Sequence, residues 1–182
     1  IANGGAQEYF NIQADLVTYA KALGNGYPIA AIAGKEKVMM TIEPGKMAHG
    51  GTYSGNVAGA AAGVTTLKIL ETQPIIETIN QRGQALMDGI GEILTEADIP
   101  HFLPGVPSMF GIVLGVEQEP IDFRDYFKGD GELYENLAYE LIRNGVQPDG
   151  DAREPWFRLV AEKEIIQGCH RILALTERER ES

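Results

Sequence analysis

The stretch DLVTYAKALGNGYPIAAIAG, residues 15–34, decides the fold. Its lysine, Lys21, has small and apolar neighbours on both sides, and the nearest charge in sequence is Asp15, six residues back. Lysines on helix surfaces usually have charged partners three or four residues away. A desolvated ammonium loses its proton more readily, so this setting favours a free amine that can form a Schiff base with an aldehyde. The alternative is an ordinary surface lysine.

The same stretch predicts a strand, a tight turn and a second strand. Residues 15–22 form the approach to the turn GNGYP, whose two glycines can take positive φ and whose Pro28 fixes the exit. The continuous apolar run IAAIAG, residues 29–34, is typical of a strand buried on both faces. A short helix, KEKVMMTI, follows it.

A second candidate site lies in HGGTYSGN, residues 49–56. The backbone N–H groups around Gly50 and Gly51, the Thr52 hydroxyl and a following helix start can together bind an anion. The alternative is a polar surface loop that caps the helix. The loop lies about 30 residues after Lys21, and an aldehyde cofactor with a phosphate needs both an amine and an anion site.

The helix that follows this loop, VAGAAAGVTTLKILE, is so rich in Ala and Gly that a neighbour must pack very close against it. Asn56 and Ser54 are suitable caps at its start. Pro74 opens a longer amphipathic helix that continues to about Ala97. The predicted buried stripe of this second helix consists of Ile75, Ile79, Leu86, Ile90, Ile93 and Leu94.

The remaining sequence predicts a strand at MFGIVLGV, a helix at GELYENLAYELIRNGV that ends at Gly145, a strand at WFRLV and an amphipathic terminal helix. This order indicates an α/β fold. The change from Gly/Ala-rich to more ordinary composition places a domain boundary near residue 72, which separates residues 1–71 from a smaller α/β domain at 72–182.

The acidic composition of the chain argues against some classes of binding partner. The formal net charge is -11 and the pI is near 4.7, so a nucleic-acid partner is not expected. The apolar runs are shorter than a membrane span, and the single cysteine, Cys169, excludes an internal disulfide and fits a reducing cytoplasm.

Other polar residues are weaker candidates. The three histidines are too scattered for a metal site, although His49 could line the anion loop. Cys169 is interpreted as a core or half-buried residue rather than a nucleophile. The segment PDGDAREPWF, residues 148–157, is either a turn before a strand or a substrate-facing loop, in which Arg153 or the nearby Arg158 binds a carboxylate.

Two segments, ADLVTYAKALGNGYPIAAIAG and GGTYSGNVAGAAAGVTTLKILE, resemble the lysine and phosphate-binding segments of the class III aminotransferases. These are fold-type-I enzymes that use pyridoxal 5′-phosphate (PLP). The resemblance is strongest to the branch that contains glutamate-1-semialdehyde 2,1-aminomutase, and it covers residues 1–160. It implies the C-terminal part of a large PLP-binding domain followed by the small C-terminal domain.

The resemblance also implies roles for single residues. Lys21 would form the Schiff base with PLP and then carry the proton between the substrate and the cofactor. Thr52 and the Gly51 backbone would bind the cofactor phosphate, with the threonine reaching into the active site of the other subunit of a homodimer. Arg153 is the candidate for the substrate carboxylate. The reaction would be amino-group transfer on an amino acid or amino-aldehyde.

The sequence departs from the family pattern in two ways. The family's aspartate that pairs with the pyridine nitrogen would precede Ile1, so the 182-residue chain alone is expected to be inactive in transamination. Asn56–Val57 also replaces the family's common Asn-Pro. A PLP racemase or decarboxylase of the same fold, an inactive paralogue that serves as a binding or dimerisation module, and a nucleotide-binding α/β domain are the alternatives.

Overall fold

The computed structural model describes residues 1–43 and 46–146. The predicted strand WFRLV, the terminal helix, Arg153, Arg158, Cys169 and His170 lie outside the described residues. In chain order the elements are α1 (Gly5–Tyr9), β1 (Leu16–Tyr19), a 3₁₀ turn (Lys21–Leu23), β2 (Ala31–Gly34), α2 (Glu36–Met39), α3 (Val57–Thr72), α4 (Ile75–Glu96), β3 (His101–Phe102), β4 (Gly105–Val106), β5 (Met109–Phe110), β6 (Val113–Leu114), a second 3₁₀ turn (Asp125–Lys128) and α5 (Gly131–Arg143).

The chain divides into two compact units. One is Ala2–Ile76; the other contains Ile1 and the chain from Glu77 onward. No described helix combines the length and the hydropathy that crossing a membrane requires.

In the first unit, β1 and β2 form an antiparallel pair in which Leu16 faces Gly34 and Tyr19 faces Ala31. The predicted burial of this second strand on both faces is wrong, because every residue of β2 is exposed. The reason is that β2 pairs only with β1 among the described residues, and nothing in the described part of the chain covers either face. An apolar run shows that a strand forms but not what covers it.

Helix α3 begins where the sequence predicts. The Asn56 side chain accepts a hydrogen bond of 3.0 Å from the Gly59 N–H, which caps the helix start. Gly59 and Gly63 are the two buried residues of the helix.

The core of the second unit lies between α4, α5 and the segment around β5 and β6. The buried residues are Leu86, Ile90, Ile93, Leu94, Phe110, Ile112, Leu114, Tyr134, Ala138, Leu141 and Val146. Helix α4 therefore buries four of the six residues of its predicted stripe. Ile79 is instead 42% exposed, because close packing on α4 begins one turn later, where Gly83 meets the backbone of Pro107.

The single strand predicted at MFGIVLGV is also wrong. The segment forms two short strands in different sheets: β5 pairs with β4, and β6 pairs with β3. The chain changes partner at Gly111, whose N–H donates to the Pro104 carbonyl at 2.8 Å. Ile112, Val113 and Leu114 are all buried, so this segment is covered on both sides rather than alternating between core and solvent.

An ion pair closes the second 3₁₀ turn. The Lys128 amine lies 2.5 Å from one carboxylate oxygen of Asp125, and the other oxygen accepts from the N–H groups of Ile121 and Asp122. The hydrogen bond from Lys128, followed by those two backbone N–H groups, lowers the pKa of Asp125 from 3.8 to about 2.

Because this pKa is lowered on folding, the stabilisation by the Asp125 carboxylate is complete above its unfolded pKa of 3.8 and disappears as the pH falls through about 2. We therefore expect Asp125→Asn to unfold more easily than the parent near neutral pH, and the two to converge in acid. Urea unfolding of both proteins between about pH 7 and about pH 2 measures this difference. A difference that stays constant over that range would contradict the assignment.

Candidate functional site

Lys21 occupies the first position of the 3₁₀ turn that follows β1. Its φ is +47°, in the left-handed region that residues with a side chain rarely adopt. Two backbone hydrogen bonds hold this conformation: the N–H groups of Gly24 and Asn25 both donate to the Lys21 carbonyl at 3.1 Å. Left-handed backbone costs an L-residue roughly 1–2 kcal/mol, and such strain is concentrated at functional sites.

Lys21 borders an open depression of about 380 Å³. The depression is lined by Lys21, Ala22, Asn25, Gly26, Tyr27 and Pro28. No carboxylate of residues 1–43 or 46–146 forms an ion pair with the Lys21 amine. Asp15, the nearest charge in sequence, instead pairs with Lys35 at 2.6 Å. Lys21 therefore borders free space, and its amine has no neutralising partner in the described part of the chain.

The expected shielding of Lys21 by small apolar neighbours is wrong. Lys21, Ala20 and Ala22 are all exposed, because no element of the described chain folds over these three side chains. Sequence neighbours that are apolar do not desolvate a side chain unless they fold over it.

The turn is supported from one side by α3. A Cβ atom built on Gly59 would lie 3.0 Å from the Pro28 carbonyl oxygen, and one on Gly63 would lie 3.3 Å from Ile29 Cδ1. The close neighbour predicted from the Ala/Gly-rich sequence of α3 is therefore the segment of residues 21–29, named the lysine turn from here on.

The loop with Gly51 and Thr52 consists of two successive turns. The Ser54 N–H donates to the Gly51 carbonyl at 2.9 Å, and the Asn56 N–H donates to the Tyr53 carbonyl at 3.1 Å. Within the described residues, no acceptor takes the N–H of Gly51 or Thr52. Both residues are exposed, and neither lines the depression beside Lys21.

The structure thus brings Lys21 together with the turn that follows it, but not with Gly51 and Thr52 of its own chain. The sequence identified this turn as flexible but missed Asn25 and Tyr27 as lining residues. Their position between the lysine and Pro28 was the available signal. His49 is exposed, and His101 is half-buried with Nδ1 2.9 Å from the Ile99 carbonyl oxygen.

Comparisons with known proteins agree with the two motifs. The sequence model of the family "Aminotransferase class-III" matches residues 3–146. Glutamate-1-semialdehyde 2,1-aminomutase of Methanopyrus kandleri is 35% identical over 162 residues, which cover 88% of this chain and 37% of that protein. The corresponding enzyme of Aeropyrum pernix is 36% identical over 143 residues, or 78% of this chain and 33% of that protein.

Solved structures share the fold. A β-phenylalanine aminotransferase from Variovorax paradoxus matches with a TM-score of 0.82 at 24% identity, over 96% of this chain and 41% of that chain. A Sphingopyxis protein solved in its PLP internal aldimine form matches with a TM-score of 0.73 at 20% identity, over 98% and 41%. The chain therefore spans well under half the length of these relatives.

The resemblance predicted from the two motifs and the predicted α/β class are confirmed by these matches. The chain belongs to the class-III aminotransferase family.

Proposed function

We propose that this chain is part of an enzyme that transfers amino groups with PLP, as an aminotransferase or aminomutase acting on an amino acid or amino-aldehyde. The observation that carries the proposal is the position of Lys21. Its amine has no carboxylate partner among the described residues, the residue borders a depression of about 380 Å³, and its backbone has a left-handed φ of +47°. Family membership supports the same reading.

PLP, when bound, supplies an aldehyde for covalent attachment and a ring that accepts electrons from the substrate. The residues of this chain have simpler tasks. Lys21 Nζ would provide the nucleophile for the aldehyde carbon, whose oxygen would leave as water, and the free amine would later hold the proton removed from the substrate carbon. The Lys21–Leu23 turn fixes the backbone position from which the Lys21 side chain extends, because the N–H groups of Gly24 and Asn25 donate to the Lys21 carbonyl.

We further propose that Gly51 and Thr52 bind the cofactor phosphate. The N–H groups of these two residues have no acceptor in the described structure, and the Thr52 hydroxyl adds a third donor. Three donors at an exposed turn suit a phosphate, which offers several acceptor oxygens.

A homodimer with a shared active site completes this proposal. Thr52 does not line the depression beside Lys21 in its own chain. Thr52 would therefore bind the phosphate of the cofactor that is held in the other subunit. Helix α3, which directly follows the loop, also has exposed apolar residues. Val57 is 81% exposed, Val64 52% and Leu67 54%. Grouped exposed apolar residues mark interaction surfaces.

Two smaller parts of the proposal rest on the sequence. Arg153, which lies outside the described residues, is the candidate for binding the substrate carboxylate. A cytoplasmic location is proposed because the chain has one cysteine, Cys169, and hence no internal disulfide.

Replacing Thr52 by valine tests whether Thr52 binds the cofactor phosphate. Valine keeps the shape but removes the hydroxyl, so we expect PLP to bind about tenfold more weakly, as for the loss of one hydrogen bond to a charged group. Pyridoxal, which has no phosphate, should bind as it does to the parent. Thr65→Val, which removes an exposed hydroxyl from α3, is the matched control. Equal losses for PLP and pyridoxal would contradict a role in phosphate binding.

A thermal-shift comparison tests the proposed cofactor. A ligand that binds the folded state raises the melting temperature by mass action. We expect PLP to raise it, and ATP and NAD to leave it unchanged. Stabilisation by ATP or NAD without stabilisation by PLP would favour a nucleotide-binding domain instead.

A further inference from the structure

The lysine turn is kept in a conformation that its sequence does not favour. Lys21 and Asn25 both have positive φ, +47° and +46°, although neither is glycine. Such backbone persists where the surrounding structure determines it. The hydrogen bonds within the turn fix its shape, but they do not fix where the turn lies.

The turn is packed tightly around Gly24. A Cβ on Gly24 would lie 2.4 Å from the Tyr27 carbonyl oxygen and 2.5 Å from Ile29 Cγ2, so the turn closes on itself around this buried glycine. Ile29 then lies between Gly24 and the two glycines of α3. Gly24 thus packs against Ile29, and Ile29 in turn packs against α3.

The two helix glycines make different contacts. Gly59 faces mainly backbone: its added Cβ would be 3.0 Å from the Pro28 carbonyl oxygen and 3.6 Å from the Pro28 carbonyl carbon, with Ile29 Cβ at 3.4 Å. Gly63, one helical turn later, faces mainly the end of the Ile29 side chain at 3.3 Å, with the Leu23 carbonyl oxygen farther away at 3.7 Å. A side-chain end can move aside, whereas a backbone carbonyl moves only with the turn.

We propose that Gly59 is a positioning residue for the Lys21 amine. Because Gly59 has no side chain, α3 can lie against the Pro28 carbonyl, and this contact sets the distance between the lysine turn and α3. This inference rests on the proposed function of Lys21. A methyl group at residue 59 would push the Pro28 carbonyl outward and displace the turn that carries the nucleophile. Small displacements of a reacting group cost large factors in rate.

The test compares Gly59→Ala with Gly63→Ala. Both replace glycine by alanine in the same helix, so both gain the same helix propensity, and the melting temperature of each variant is recorded separately from its labelling. Pyridoxal is the probe, because it has the aldehyde that reacts with the amine but no phosphate that the Gly51–Thr52 loop could bind. The rate at which borohydride-reducible label accumulates on Lys21 is measured by peptide mapping as a function of pH.

We expect Gly59→Ala to label Lys21 about tenfold more slowly than the parent across the pH range, as for a misplaced reacting group. Gly63→Ala should stay within about twofold of the parent, because Ile29 can change rotamer. A purely structural role for Gly59 would change the melting temperature and leave labelling of the folded protein unaltered.

The outcomes separate the inference from the function beneath it. If Lys21 of the parent is not labelled in preference to other lysines, the proposed function fails. If the parent is labelled and Gly59→Ala matches it, Gly59 is not a positioning residue, while the proposed function stands. Should Gly59→Ala not fold, Gly59 serves folding rather than positioning of the amine, and the inference is overturned.

Discussion

Replacing Lys21 by alanine is expected to reduce covalent capture of PLP to the background of the other lysines. The amine is the only group at this position that can attack an aldehyde carbon, and methyl cannot replace it. Lys21→Arg is the sharper variant, because it keeps the positive charge and most of the length. A guanidinium stays protonated and does not condense with aldehydes, so Lys21→Arg should fail as completely as Lys21→Ala.

The control for this prediction is another exposed lysine. Lys37 on α2 is exposed, as Lys21 is, but it does not line the depression. Lys37→Ala should therefore capture PLP as well as the parent does. The measurement is the absorbance of the reducible adduct at saturating PLP. Equal capture of PLP by Lys21→Arg and the parent would show that Lys21 is not the residue that binds PLP covalently.

The largest effect on stability is expected from Gly83→Ala in α4. A Cβ at this position would lie 1.7 Å from the Pro107 carbonyl oxygen and 2.4 Å from its carbonyl carbon. Both contacts are to backbone, so relief requires the helix and the segment around Pro107 to separate. Overpacking of this kind costs about 3 kcal/mol. That is a large share of the stability of a small domain.

Gly91→Ala on the same helix is the matched control. Its Cβ would meet His101 Nε2 and Leu103 Cδ1 at 3.8 Å, which is ordinary contact. Helix propensity alone then applies, and we expect Gly91→Ala to be more stable than the parent by about 0.5–1 kcal/mol. Urea unfolding of the parent and the two variants measures both effects. If Gly83→Ala were as stable as Gly91→Ala, the close packing of α4 on Pro107 would be wrong.

The helices could be predicted from sequence because their signals are local. Asn56 begins α3 as a capping residue should, and the helix predicted from Pro74 to about Ala97 is observed at Ile75–Glu96. The predicted end of α5 at Gly145 is close to the observed end at Arg143, and Gly145 takes a φ of +84°. Caps, helical periodicity and glycine at a C-terminus act over a few residues.

Burial could not be predicted in the same way, because it depends on which elements meet. IAAIAG and MFGIVLGV are both apolar runs. The first is exposed in β2, whereas Ile112, Val113 and Leu114 of the second are buried. The period of a sequence identifies a strand and cannot tell how many of its faces are covered.

The candidate site was likewise predictable only in part. The motif spacing drew attention to Lys21 and to the loop of Gly51 and Thr52, and the family assignment followed from both. The left-handed backbone of Lys21 and the contact between Gly59 and Pro28 have no sequence signal of their own. The contact between Gly59 and Pro28 joins segments that are about 30 residues apart, and the Lys21 conformation depends on hydrogen bonds from Gly24 and Asn25.

The most direct test of the central proposal is to find which lysine PLP modifies. The chain is incubated with PLP, reduced with borohydride, digested and mapped by mass spectrometry. We expect a visible absorbance band that disappears on reduction, with the label concentrated on the peptide that contains Lys21. Label spread over exposed lysines such as Lys37 and Lys68, with Lys21 no higher than they are, would contradict the account.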